Sequence, residues 1–263
     1  MAVMIRPLLQ FRLEVELQIR RFQVSPEINP TQSFQSGICS AGPAFLFLEQ
    51  ELVFWNDPGD FIAMRTFALT GGIATGKSTA GKLMQRLLPT MAYFDCDESV
   101  QGLLKKGRVL EEISEALGQS VILPDGSLDR AGLRALVFEN EEQRSRLEAV
   151  LHPKVRKECL EKREISSTNP STTLFVADVP LLFESGFDFD QELNLVVATS
   201  EATQRTRLKA RSHFEDRMIS SILKAQLPIM EKVARGDVVF WNEGCPAVLE
   251  RQLARFLKTL SIP

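Results

Sequence analysis

Five short, largely apolar runs punctuate the chain, and the stretches between them repeat their apolar positions every three or four residues. Thr66–Thr70, Met91–Phe94, Thr173–Ala177, Leu193–Ala198 and Val238–Trp241 are bounded by polar or glycine-bearing turns, a pattern that predicts strands buried on both faces. The helical period appears in Ala80, Leu83, Met84 and Leu87, then in Leu103, Leu104, Val109, Leu110, Ile113 and Leu117. It continues through Leu133, Leu136 and Val137, through Leu147, Val150 and Leu151, and closes the chain at Val248, Leu249, Leu253, Phe256 and Leu257. Short strands joined by helices predict an α/β fold, a doubly wound parallel sheet of about five strands. The long helical block between the second and third strands looks like a substrate-binding insertion. Pro124-Asp125-Gly126 predicts a turn within it, and His152-Pro153 predicts a helix boundary, because proline has no N–H and disfavours helical backbone in the residue before it.

The link between the first strand and the first helix is Gly71-Gly72-Ile73-Ala74-Thr75-Gly76-Lys77-Ser78-Thr79, which fits the phosphate-binding pattern G-x-x-x-x-G-K-[ST]. Glycines let consecutive backbone N–H groups turn onto phosphate oxygens, and the helix that follows aims its positive dipole end at the same anion. Lys77 then reaches the β/γ-phosphates and Ser78 ligates Mg²⁺. Four constrained positions match by chance in about one chain of this length in a hundred. Here a strand precedes the loop and a helix follows it, the order the chemistry needs.

Other candidates cluster at strand ends. Asp95 and Asp97 follow the second strand, at the crevice where such sheets bind ligands; capping of the helix from Glu98 onward is the alternative role for either. Asp178 stands in the same way after the third strand, with Pro180 enforcing a turn. Arg205, Arg207, Lys209 and Arg211 make a basic helix on which Arg207 and Arg211 share a face. That face is either a solvated surface or a lid that brings guanidinium charge to a transferring phosphoryl group.

Charge and composition narrow the partners. The net charge is −3 with both signs interleaved, so no polybasic surface for nucleic acid is present and small-molecule partners are expected. Residues 1–63 carry four arginines, no lysine and seven acidic residues, which leaves the remainder neutral. Their acidic content argues against an organellar targeting peptide. Met64 stands just ahead of the first strand, so residues 1–63 are read as a disordered or non-native extension and 64–263 as the functional domain. Cys39, Cys96, Cys159 and Cys245 are too scattered for a zinc or disulfide framework and are read as free thiols in a reducing compartment. No apolar run approaches the roughly 20 residues of a membrane span, and a cytoplasmic location is expected.

From Met64 to about Leu260 the residues resemble the dephospho-CoA kinases. Leu69-Thr70-Gly71-Gly72-Ile73 is similar to that family's opening, Asp95-x-Asp97 to its D-x-D, and Asp125-Gly126-Ser127-Leu128-Asp129-Arg130 to its D-G-x-L-x-R. Leu151-His152-Pro153 resembles its L-H-P, and Asp178-Val179-Pro180-Leu181-Leu182-Phe183-Glu184 its V-P-L-L-F-E segment almost verbatim. Gln204, Arg207, Arg211, Gln226, Lys232, Asp237 and Asn242-x-Gly244 follow in family order.

The resemblance implies a P-loop kinase fold that moves the γ-phosphoryl group of ATP, with Mg²⁺, to the ribose 3′-hydroxyl of dephospho-CoA, the final step of coenzyme A synthesis. It implies a core of 64–97, 173–200 and 236–263, a helical acceptor-binding insertion at 98–165 and a lid at about 201–226, in a monomer or small homo-oligomer. Carried over by position, Asp97 orients or deprotonates the 3′-hydroxyl, with Lys77 and Arg207 as its catalytic companions. Gly72 to Thr79 hold the nucleotide with Arg207 and Arg211, while His152, Pro180, Leu181 and Glu184 fall at acceptor-site positions.

Several residues depart from the family pattern. Ala74 and Thr75 replace Gly-Ser inside the loop, a mild change because only the backbone is needed there, and Cys96 replaces a small Ala. Gln101 stands where Arg is common, and Ser212 where an acid is common. A nucleoside monophosphate or shikimate kinase would share the loop and lid but not the V-P-L-L-F-E and L-H-P segments. A GTP-dependent switch would need N-K-x-D, which the sequence lacks. A catalytically silent nucleotide binder is disfavoured by the retention of Lys77, Ser78, Asp97 and Arg207.

Overall fold

A computed structural model of the protein describes residues 64–212 and 215–260, so the reading of 1–63 falls outside the described residues. Each of the five predicted runs is a strand: β1 (Arg65–Gly71), β2 (Met91–Asp95), β3 (Leu174–Asp178), β4 (Leu193–Ala198) and β5 (Val238–Trp241). All pair in parallel, in the order β2-β3-β1-β4-β5. The helices are α1 (Lys77–Leu87), α2 (Cys96–Leu103), α3 (Gly107–Leu117), α4 (Arg130–Glu139) and α5 (Glu141–Ser167), then α6 (Leu182–Ser185), α7 (Glu201–Ser212), α8 (Asp216–Lys224), α9 (Ile229–Arg235) and α10 (Pro246–Thr259).

The strands read as unbroken apolar runs because both faces of the sheet are covered. Alternate residues serve opposite cores. Phe67, Leu69, Leu174 and Val176 pack with Ala80 and Met84 of α1 and with Leu249, Leu253 and Phe256 of α10. Ala68, Phe175 and Ala177 face a second core built from Ile113 and Leu117 of α3 and from Leu151, Val155 and Cys159 of α5.

The boundary expected at His152-Pro153 is absent: α5 runs for 27 residues with Pro153 inside it. Proline forfeits the hydrogen bond to the carbonyl of Ala149, but Leu151, Val155 and Cys159 recur at i, i+4 and i+8 and are all buried. Packing on both sides of the proline outweighs one lost bond, so the helix continues. The predicted turn does form: Gly126 has φ of 83°, Ile122 bridges Leu128, and Asp125 Oδ1 accepts from the backbone N–H of Ser127 at 2.9 Å. Cys96, Cys159 and Cys245 form no disulfide among the described residues, and Cys39 lies outside them.

Candidate active site

Parallel pairing puts the polar ends of three strands side by side. Asp178 at the end of β3 is level with Asp95 of β2 and Leu69 of β1, just before the phosphate loop. The loop, these strand ends and the segment after β5 enclose a cavity of about 530 Å³. Gly72, Ile73, Ala74, Gly76, Lys77, Ser78 and Thr79 line it, with Asp97, Pro180, Arg207, Gln226 and Asn242. Gly244, Pro246 and Leu249 line it too, adding apolar surface beside the loop.

A loop that turns its N–H groups inward turns carbonyls outward, and those carbonyls need donors of their own. Gln204 Nε2 donates to the carbonyl of Ile73 at 2.7 Å, and Arg207 Nη1 to those of Ala74 and Thr75 at 3.2 and 3.4 Å. Asn242 Nδ2 reaches the Thr75 carbonyl at 2.8 Å, while Arg207 Nη2 donates to the carbonyl of Asn242, also at 2.8 Å. The Ile73 N–H donates to Gln226 Oε1 at 3.0 Å. Arg207 therefore braces the loop as well as lining the cavity. The N–H groups of Lys77, Ser78 and Thr79 open α1 and have no carbonyl one turn earlier to bond. They supply the donors an anion would use.

Gly76 is required on two counts: its φ is 98°, and a Cβ there would lie 2.2 Å from Asn242 Nδ2. The two loop departures act through more than backbone. Thr75 is fully buried beneath the loop, its Oγ1 donating to the Gly72 carbonyl at 2.8 Å. Ala74 has φ of 59°, the left-handed region that disfavours any side chain. Ala74→Gly relieves about 1–2 kcal/mol of left-handed strain and loses about 0.4–1 kcal/mol to the backbone entropy glycine gains on unfolding, a net stabilisation of about 0.5–1 kcal/mol. Thermal melting should show a rise of about 1–4 °C; a lower Tm would mean that the strain is smaller than the entropic cost of glycine.

Asp95 and Asp97 are split by the end of β2. Asp95 is the cap of α2, its Oδ1 accepting from the N–H of Glu98 at 3.0 Å, so the capping alternative holds for Asp95. Asp97 lies in the first turn of α2, solvent-accessible yet lining the cavity. Its carboxyl is held above the ordinary carboxylate range, by partial burial first and by the negative charges of Asp95 and Asp178, against the downward pull of Lys77.

Lys77 pairs with Asp178, which is 3% exposed, and the hydroxyl of Tyr93 donates to the other carboxylate oxygen at 2.7 Å. Burial, followed by the charge of Asp178, pushes the Tyr93 phenol well above its usual pKa, so it stays a donor. Asp178 thus parks the loop lysine within reach of the phosphate position. A protein oxygen or two suits Mg²⁺, which keeps waters and binds chiefly through phosphates. Ser78 and Asp97, both lining the cavity, fit that requirement, and no three-residue acidic or His/Cys cluster of the kind a protein-held metal uses occurs among the described residues.

The remaining expected residues are dispersed. Pro180 lines the cavity, whereas Leu181 beside it is 37% exposed. Glu184 Oε1 pairs with Lys232 at 2.7 Å and accepts from the N–H of Leu227 at 3.1 Å. His152 is half-buried on α5 and is not a lining residue. The side chains of Arg211 and Ser212 lie outside the described residues, and Gln101 is exposed on α2. Sequence reasoning assigned no role to Tyr93, Gln204, Gln226 or Asn242. Nor did it single out Glu243, which accepts from Thr199, Ser200 and Thr203 around the start of α7 and whose carboxyl those bonds hold down at about 2 despite partial burial. Asp178, like Asp97, carried a positional signal, its place at a strand's carboxyl end.

The family model described as dephospho-CoA kinase matches residues 65–247. A dephospho-CoA kinase of Geobacillus kaustophilus is 38% identical over 195 residues, covering 73% of this chain and 95% of that protein. Among solved structures, a Thermus thermophilus protein superposes with a TM-score of 0.62 at 32% identity, covering 75% of this chain and 98% of its own. A dephospho-CoA kinase from Campylobacter jejuni superposes with a TM-score of 0.56 at 26% identity, covering 74% and 96%.

Proposed function

Because this chain belongs to the dephospho-CoA kinase family, we propose that its cavity transfers the γ-phosphoryl group of ATP to the ribose 3′-hydroxyl of dephospho-CoA, giving coenzyme A and ADP. The observation that carries this reading is the shared cavity: the phosphate loop and Asp97, from successive strand ends, line one space. Partial burial holds the Asp97 carboxyl above the ordinary range, which suits it to accept the proton of an attacking hydroxyl beside the phosphate site.

In this scheme the N–H groups at the start of α1 hold the donor phosphates, and Lys77 leaves Asp178 for the β/γ-phosphates. Gly244, Pro246 and Leu249 form the surface on which the adenine rests. The acceptor's 3′-oxygen attacks the γ-phosphorus in line, the bond to the β–γ bridging oxygen breaks, and the hydroxyl proton passes to Asp97. Arg207, braced against the loop carbonyls, adds positive charge where negative charge spreads in the transition state. Ser78 would hold Mg²⁺, which would supply further neutralisation of the phosphate charge. Residues 98–165 form the acceptor-holding insertion, with Pro180, Leu181 and His152 as contributors, and α7 and α8 with Arg211 form the lid. The cytoplasm is the proposed location; no helix among the described residues is long and apolar enough to cross a membrane.

The test is a coupled ADP-release assay comparing dephospho-CoA with AMP, adenosine and shikimate. Stimulation by dephospho-CoA, with little by the other three, is expected; no stimulation by dephospho-CoA ends this reading.

A further inference from the structure

Lys232, on α9, is completely buried. Its ammonium donates to the carbonyl of Gly71 at 3.3 Å and of Pro180 at 3.2 Å, and pairs with Glu184 Oε1 at 2.7 Å. Three acceptors match the three N–H bonds of a lysine, so no donor is wasted. Each acceptor belongs to a different part of the site. Gly71 ends β1 and opens the phosphate loop. Pro180 lines the cavity at the turn after β3, and Thr70 Oγ1 also donates to its carbonyl, at 3.3 Å. Glu184 sits on α6, and the same carboxylate oxygen accepts from the N–H of Leu227 between α8 and α9.

Stability alone does not account for this arrangement. Taking an ammonium and a carboxylate out of water is strongly unfavourable, and an apolar pair of similar volume is often as stable or more so. What an apolar pair lacks is direction. A threefold donor with fixed acceptors sets the separation of the segments that carry them, and phosphoryl transfer is sensitive to displacements of about 1 Å.

We propose that Lys232 is a positioning residue: through Glu184 it fixes the Pro180–Glu184 turn against the mouth of the phosphate loop, so that acceptor and donor meet in line. The inference rests on the kinase reading above. Being wholly buried, Lys232 acts through the segments it joins and does not touch substrate.

Lys232→Met, Glu184→Gln and the paired Lys232→Met/Glu184→Leu variant would be compared with the wild type in dephospho-CoA-dependent ADP release, in ATP hydrolysis without acceptor and in thermal melting. The two single variants should lower kcat/KM for dephospho-CoA about tenfold or more, with acceptor-free hydrolysis changed by less than about threefold. The paired variant, which leaves no buried charge unpaired, should regain the wild-type Tm but not the transfer rate. Transfer that returns together with Tm, or transfer and hydrolysis that fall equally, overturns the inference and leaves Lys232 a purely structural residue. Should Lys232→Met fail to fold, Glu184→Gln and the paired variant give the same reading. A wild type that shows no dephospho-CoA-dependent ADP release overturns the kinase reading and this inference with it. An active wild type beside variants of unchanged transfer overturns the inference alone.

Discussion

Asp97→Asn is expected to lower kcat for dephospho-CoA by about a hundredfold or more while changing KM for ATP by less than about threefold. The amide keeps the size of the carboxyl but cannot take the hydroxyl proton, and Asp97 makes no hydrogen bond on which α2 depends, because the cap of that helix is Asp95. The fold should therefore be intact. The pH profile adds a second signature. Partial burial, with Asp95 and Asp178 nearby, holds the Asp97 carboxyl above the ordinary range, and the ionised form is the base. Wild-type kcat/KM should thus fall as pH drops through that raised pKa, and Asp97→Asn should lack this acid limb. Near wild-type turnover in Asp97→Asn, or an unchanged acid limb, would remove Asp97 from the role of base.

Lys77→Ala is expected to be at least as damaging to kcat, about a hundredfold or more, because it deletes a charge contact made to the transferring group. Its effect on stability is of a different kind. Asp178 is 3% exposed and would lose its cationic partner, keeping only the Tyr93 hydroxyl. Breaking a buried pair from one side costs about 3–5 kcal/mol, and the residual exposure of Lys77 puts this case at the lower end, a fall in Tm of about 6–12 °C. Lys77→Ala/Asp178→Asn should recover most of that Tm and none of the turnover. Joint recovery of both quantities would show that Lys77 acts only by neutralising Asp178.

The sheet was legible because its strands are buried on both faces, so that Phe67, Val176 and Leu195 sit in apolar runs that helices do not imitate. The phosphate loop was legible because backbone geometry restricts Gly76 to glycine and its chemistry restricts Lys77. Asp97 was found from its place after a strand, although the strand's early end split it from Asp95, which turned out to be a cap. The helix boundary at Pro153 failed because a local rule about proline carries no information about Leu151 and Val155 packing on either side of it. The braces of the loop matched the family order, but their role left no local pattern in the sequence. Gln204, Gln226, Asn242 and Lys232 lie 131 to 167 residues from the loop carbonyls or amides they bond, and a polar side chain that serves a distant backbone group has no local pattern. Glu184 shows the same limit in reverse. Its position invited a role toward the acceptor, and its carboxylate instead joins Lys232 and Leu227.

Whether the loop amides and Asp97 act together on one acceptor hydroxyl is read most directly from the product. Incubation of the purified protein with ATP, Mg²⁺ and dephospho-CoA, followed by ³¹P and ¹H NMR, locates the new phosphomonoester. The expected result is a single new phosphorus signal coupled to the ribose 3′ proton, formed in step with ADP. A phosphate at any other position, or ADP accumulating with the acceptor unchanged, would contradict a cavity built to join this donor to that hydroxyl.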